Sequence, residues 1–190
     1  MKNAKISLTI AFLAAPALAQ TNGTYVLSSS NTISPPSPMT TISIWAAWDD
    51  PSGELIFSAG NYDLTAGDGV FSNPVNVLNG PASSAGMTNG NVISGGVNSQ
   101  ILYPFPTPVF NPILLARYDW TTADFTARAV DLLTSNTSFF VLGDWRTVSF
   151  IELFPIRFTP GSGVINVVPA PAAWVVLALP LVAATRRRRC

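Results

Sequence analysis

The sequence predicts an all-β fold, an antiparallel two-sheet sandwich of jelly-roll type, flanked by an N-terminal signal helix and a C-terminal transmembrane helix. Three observations predict the sandwich. Short apolar runs recur between turn signals at a spacing of roughly 8 to 12 residues, the rhythm of strands joined by tight turns. The segment TISIWAAW places Ile42, Ile44, Ala46 and Trp48 on one face, the period of two that a half-buried strand requires. Between the two ends no helical periodicity lasts three turns, and a single turn at Thr122 to Phe125 is the most that the pattern supports.

Residues 1–19 open with Lys2 and Lys5, continue through an apolar stretch from Ile6 to Ala15, and end in Ala17-Leu18-Ala19 before Gln20. A basic segment, a short apolar helix and small residues at the cut are the layout of a secretory signal peptide, so cleavage is expected between Ala19 and Gln20. No cysteine stands near that site, which removes lipoprotein processing. Residues 20–40 are rich in Ser, Thr, Asn and Pro, including Ser34-Pro35-Pro36-Ser37-Pro38, and read as an extended lead-in with one edge strand at Thr24 to Leu27.

The sandwich domain is expected over 41–166. After TISIWAAW, Asp49-Asp50-Pro51-Ser52-Gly53 supplies a turn before ELIFSAG at Glu54. Further strands are expected at Val75 to Leu78, Val92 to Ile93, Gln100 to Phe105, Ile113 to Thr121, Ala129 to Leu133, Phe139 to Leu142, Val148 to Phe158 and Val164 to Val168. Trp45, Trp48, Phe57, Phe71, Tyr118, Trp120, Phe139, Phe140, Trp145, Phe150, Phe154 and Phe158 are the aromatic side chains available to fill the core.

Composition excludes several functions. The chain has no His, and its one cysteine is Cys190, so internal disulfides, zinc sites and Ser-His or Cys-His nucleophiles are ruled out by inventory. The formal charge of zero hides an asymmetry. From Gln20 to Val168, Arg117, Arg128, Arg146 and Arg157 face all ten Asp and Glu, so the body is acidic and lacks the basic stripe that a phosphate backbone needs. No nucleic-acid partner is expected.

Residues 167–190 form a tail of three parts: Val168-Pro169-Ala170-Pro171-Ala172, an uncharged apolar run reaching Thr185, and Arg186, Arg187, Arg188 and Arg189. As a helix the run is long enough to cross most of a hydrocarbon core of about 30 Å, and the arginines would stop it on the cytoplasmic side. Pro169 and Pro171 keep the stretch before it extended and outside that helix. In this order the three parts resemble the PEP-CTERM sorting signal of Gram-negative and planctomycete-type bacteria. The resemblance implies recognition by an exosortase, a membrane-embedded cysteine protease-transpeptidase that cuts near the motif and releases or transfers the exported body. It implies transient anchoring in the inner membrane and a destination at the cell surface or in the extracellular matrix. Two positions depart from the pattern: Ala170 stands where the family most often has Glu, and Cys190 trails the arginines.

Within the body the candidate chemistry is thin. Asn61, Asp63 and Asp68, read as a Gly-containing loop, offer the hard oxygen ligands that Ca²⁺ takes, though their spacing matches no EF-hand loop, and turn-forming is the commoner role of such residues. Carboxylate pairs such as Asp119 with Glu152 or Asp144 with Glu54 are of the type a glycosidase uses, but no motif joins them. Trp45, Trp120 or Trp145 on a surface would stack on sugar rings and make the body a module for envelope polysaccharide. The leading expectation is an exported, non-catalytic envelope or matrix protein without a cofactor, with a carbohydrate- or calcium-binding module as the alternative.

Overall fold

The computed structural model describes residues 22–78, 80, 82–99, 111–137, 139–144 and 153–169. The signal segment, the tail from Ala170 onward, Trp145, Phe150 and the strand expected at Gln100 to Phe105 lie outside these residues. Among the described residues there is no helix, so none is long and apolar enough to cross a membrane.

The chain begins with β1 (Gly23–Ser28), β2 (Thr32–Ile33) and β3 (Met39–Ala47), so the polar, Pro-rich stretch of 20–40 itself supplies two strands and opens a third. It continues with β4 (Leu55–Ala66), β5 (Val70–Asn76), β6 (Met87–Asn89), β7 (Val92–Ser99), β8 (Ile113–Thr121) and β9 (Arg128–Ser135). Last come β10 (Phe140–Asp144), β11 (Leu153–Ile156) and β12 (Ser162–Val167). The strands form two sheets. One has the order β1-β3-β8-β5; the other runs β11-β10-β4-β9-β12-β2, with β7 on the opposite edge of β4 and β6 beyond it. Strands β9 and β10 lie end to end along one edge of β4, Ser135 opposite Asp63 and Phe140 opposite Gly60.

Pairing is antiparallel except along one edge, which corrects the purely antiparallel expectation. There β12 runs parallel to β2, with Asn166 opposite Thr32, and Gly23 makes a parallel bridge to Thr159. The physical cause is a seam in which β1 and then β2 lie along the same side of the chain from Thr159 to Val168. Gly161 permits it: a Cβ there would stand 2.2 Å from the Thr24 carbonyl oxygen, so any other residue would push β1 away. The Gly161 N–H donates to the hydroxyls of both Thr24 (2.9 Å) and Thr134 (2.7 Å), which are themselves 2.7 Å apart. All three groups are buried, and their mutual bonding offsets the cost of removing them from water.

The predicted alternation holds in β3, where Ile42, Ile44 and Ala46 point inward, followed by Trp48 just past the strand. Trp48 and Trp120 are fully buried, and each indole N–H finds a carbonyl, that of Leu55 at 3.3 Å and of Asp68 at 3.0 Å. Phe140 stacks on Phe158 with centroids 4.1 Å apart and meets Phe57 edge to face at 6.0 Å. Each such fully buried side chain contributes about 1.5–3 kcal/mol.

Three sequence expectations need correction. Phe139 is 55% exposed, because it lies in the link between β9 and β10, its carbonyl accepting from the Asn61 N–H (3.1 Å), one position out of phase with the buried Phe140. Trp45 is half-buried on the outer face of its sheet, one position out of phase with Ile44 and Ala46. Thr122 to Phe125 form no helical turn. The Asp124 carboxylate accepts from the Thr126 N–H (2.8 Å) and the Thr122 hydroxyl from the Asp124 N–H (3.2 Å), so side chains bend the backbone in place of helical hydrogen bonds.

Candidate functional site

Three regions carry the residues singled out above: the exit of the chain from β12, the outer face of the four-stranded sheet, and the end of the sandwich near Asp68.

At the exit, Ile165 and Val167 of β12 point inward while Val164 and Asn166 point out, the period of two continuing to the last strand residue. The Val168 N–H donates to the Ile33 carbonyl at 2.9 Å, and the Asn166 N–H to that of Asn31 at 2.8 Å. Val168 is therefore held by the sheet, and Pro169, exposed and without an N–H, is the first residue free of it. Ala170, Pro171, Ala172 and Arg186 to Arg189 lie outside the described residues, as do Ala17, Ala19 and Gln20. At the other end, the Asn22 carbonyl accepts from the Thr159 N–H at 2.9 Å and its side-chain oxygen from the Asp49 N–H at 3.0 Å.

On the outer face of the four-stranded sheet, register sets Tyr25 of β1 opposite Trp45 of β3, and Trp45 opposite Leu114 of β8. All three are half-buried. Cβ atoms of such opposed residues stand about 4.5–5.5 Å apart, so the two rings are lateral neighbours. Arg117 and Asp119 follow along β8 on the same face. The Asp119 carboxylate accepts from the Asn73 amide (2.7 Å) and the Thr41 hydroxyl (3.2 Å). Trp120, offered by the sequence as a sugar-stacking residue, is wholly in the core and unavailable to a ligand.

Asn61 and Asp63 prove to be residues of β4, a twelve-residue strand, and not of a loop. The Asn61 and Asp63 letters that resemble a turn sit on its outward positions, while Gly60, Tyr62, Leu64 and Ala66 face the core. Asp63 accepts from the Gly95 N–H at 2.7 Å. Asp68, in the turn after β4, accepts from the Arg128 Nε at 2.5 Å, and the same guanidinium donates to the carbonyls of Asp124 and Thr126 and to the Thr122 hydroxyl. The Asp68 partner raises the Arg128 pKa, and the Thr126 N–H and hydroxyl lower that of Asp124. Among the described residues no three His, Cys, Asp or Glu are gathered in a way that could hold a metal ion. Of the carboxylate pairs, Glu152 lies outside the described residues, and Asp144 is known only from its backbone register opposite Leu55, next to Glu54.

A polar relay in the core has no signal in the sequence. The Tyr118 hydroxyl lies 2.6 Å from the Ala85 carbonyl, which can only accept, so Tyr118 donates to it; the Tyr62 hydroxyl, 2.7 Å away, then donates to Tyr118. Burial pushes the Tyr62 pKa up to about 12 and raises that of Tyr118 further. Asn98 stands beside the Tyr62 hydroxyl, fully buried, with neither amide atom in hydrogen-bond alignment.

No family model and no curated protein matches the chain. Solved structures do resemble it. A cohesin module from a family 33 glycoside hydrolase of Clostridium perfringens superposes with a TM-score of 0.52 at 6% identity, covering 80% of this chain and 100% of that one. The sixth cohesin of Acetivibrio cellulolyticus scaffoldin B, solved with a Cel5 dockerin mutant, gives 0.48 at 10% identity over 74% of this chain and 96% of that one. The seventh ScaB type I cohesin from Pseudobacteroides cellulosolvens gives 0.49 at 13% identity over 79% and 96%. The first of these likenesses establishes a cohesin-like β-sandwich fold.

Proposed function

We propose that this protein is an exported, non-catalytic β-sandwich module, delivered by the secretory route and held in the inner membrane by its tail. An exosortase-like enzyme of the PEP-CTERM type then processes it into the cell envelope or extracellular matrix. One observation carries the reading: the sandwich fills the interval between the two sequence signals. Asn22, already bonded to Thr159 and Asp49, comes two residues after Gln20, and Val168, the first motif residue, is bonded to Ile33. Each signal thus abuts the folded body as a detachable handle would. The superposing cohesin module belongs to a glycoside hydrolase as one of its modules, which supports an accessory rather than a catalytic role here. Mass spectrometry of material released by the native host tests the proposal. The expected product begins at Gln20 and lacks Arg186 to Arg189; a released chain still ending in Cys190 would refute it.

A second reading, a module for envelope polysaccharide, is favoured by the lateral pairing of Tyr25 with Trp45 on an outer sheet face. Isothermal titration with the host's polysaccharides separates the two. Heat that disappears in Trp45→Ala supports binding, and no heat leaves the structural role.

A further inference from the structure

The tail reading leaves open where the chain is cut, and the fold limits the answer. Resting on that reading, we propose that the end of β12 sets the upstream limit of processing: the scissile bond lies C-terminal to Pro169, and the mature body keeps the sheet contacts of Val168.

A peptidase needs its substrate extended and free of other backbone partners on both sides of the bond it cuts. Up to Val168 the chain does not meet that condition. Val164, Ile165, Asn166 and Val167 pair with Asp131, Val130, Ala129 and Arg128 of β9, and Asn166 and Val167 pair with Thr32 and Ile33 of β2 on the other side. Ile165 and Val167 are buried, and the Val168 N–H is committed to Ile33. Presenting the Val167–Val168 or Val168–Pro169 bond would require peeling β12 from both neighbours and exposing both apolar side chains. Pro169 cannot extend the ladder, because it has no N–H. In the step itself one peptide C–N bond breaks. The carbonyl carbon passes, through the peptidase's nucleophile, to water or an acceptor amine, and the proton that these release ends on the nitrogen of the departing tail.

Because Val168 is the residue next to the limit, its hydrogen bond to Ile33 also gates the rate. An enzyme reaching one residue upstream of Pro169 must wait for that bond to open.

The test uses the full chain in its native host. Mass spectrometry of the released protein is expected to find a C-terminal residue at Pro169 or later. In parallel, a Gly-Ser-Gly-Ser insertion between Val167 and Val168 leaves the sandwich and the five-residue motif intact but separates them. Pulse-chase is expected to show the precursor consumed about fivefold faster, the factor set by one hydrogen bond of ordinary net strength, with the cut still in the motif. A mature chain ending at Val168 or earlier overturns the limit while leaving the sorting reading in place, and an unchanged precursor lifetime overturns the gate. A released chain ending in Cys190 overturns the sorting reading itself, and this inference with it.

Discussion

The hydroxyl relay makes the two core tyrosines unequal, and the inequality can be measured. Tyr118→Phe removes the group that both accepts from Tyr62 (2.7 Å) and donates to Ala85 (2.6 Å), so one buried donor and one buried carbonyl lose their partners together. Each orphaned group costs about 1–3 kcal/mol, and a loss of about 2–6 kcal/mol follows. Tyr62→Phe removes only the donor at the head of the relay. Tyr118 still donates to Ala85, and the loss is about 0.5–1.5 kcal/mol, the net worth of one hydrogen bond. The two substitutions delete the same atom from the same residue type at fully buried positions, so packing does not account for a difference. Urea unfolding at neutral pH, with unchanged m-values as the check that the transition is the same, measures both. Equal losses, or a larger one for Tyr62→Phe, would show that the relay does not run from Tyr62 through Tyr118 to Ala85.

Alkaline titration tests the same pair by another route. The folded pKa of Tyr62 is raised from 10.0 to about 12, so its contribution is fully present below pH 10 and is lost as pH rises from 10 through about 12. Stability should fall there by about 1.4 kcal/mol per pH unit for each of the two tyrosines, whereas a flat urea midpoint up to pH 12 would contradict their burial. Gly161→Ala forces a methyl to within 2.2 Å of the Thr24 carbonyl oxygen, and thermal unfolding should show a loss of about 1–3 kcal/mol or more; wild-type stability would mean the β1 seam is looser than described. Asn98→Leu replaces a fully buried amide that has no aligned partner with an apolar group of similar size, and a gain of about 1 kcal/mol is expected; a clear loss in urea unfolding would reveal a bond to Tyr62.

What the sequence disclosed was whatever depends on a single strand. Ile113 to Thr121 coincides with β8, and the inward face of TISIWAAW was legible because a period of two needs no knowledge of the neighbours. Strand β4 was legible only as far as ELIFSAG. Its second half writes Asn61 and Asp63 on outward positions, and those letters mean a turn when read locally but solvent when read in a sheet. Phe139 and Phe140 are adjacent and equally apolar, and only the register of β10 on β4, with Phe140 opposite Gly60, decides which is buried. The relay was beyond reach because Tyr62 and Tyr118 lie 56 positions apart on different sheets, and the contact depends on how those sheets pack. The run Val168-Pro169-Ala170-Pro171-Ala172 was visible as letters, but that its first residue is held by Ile33 is a fact of topology.

The seam that runs from the Thr159–Asn22 contact to the Val168–Ile33 contact is about nine residues of extended chain, so the two points of departure are roughly 30 Å apart, at opposite ends of the body. On the proposed reading, with one membrane segment ending just before Gln20 and another beginning just after Ala172, few residues separate either anchor from the body, and a precursor carrying both would recline with its strands along the bilayer plane. In that reading, cleavage before Gln20 would let the body swivel upright on the remaining anchor, and the flank that had lain against the headgroups would turn toward the open periplasm.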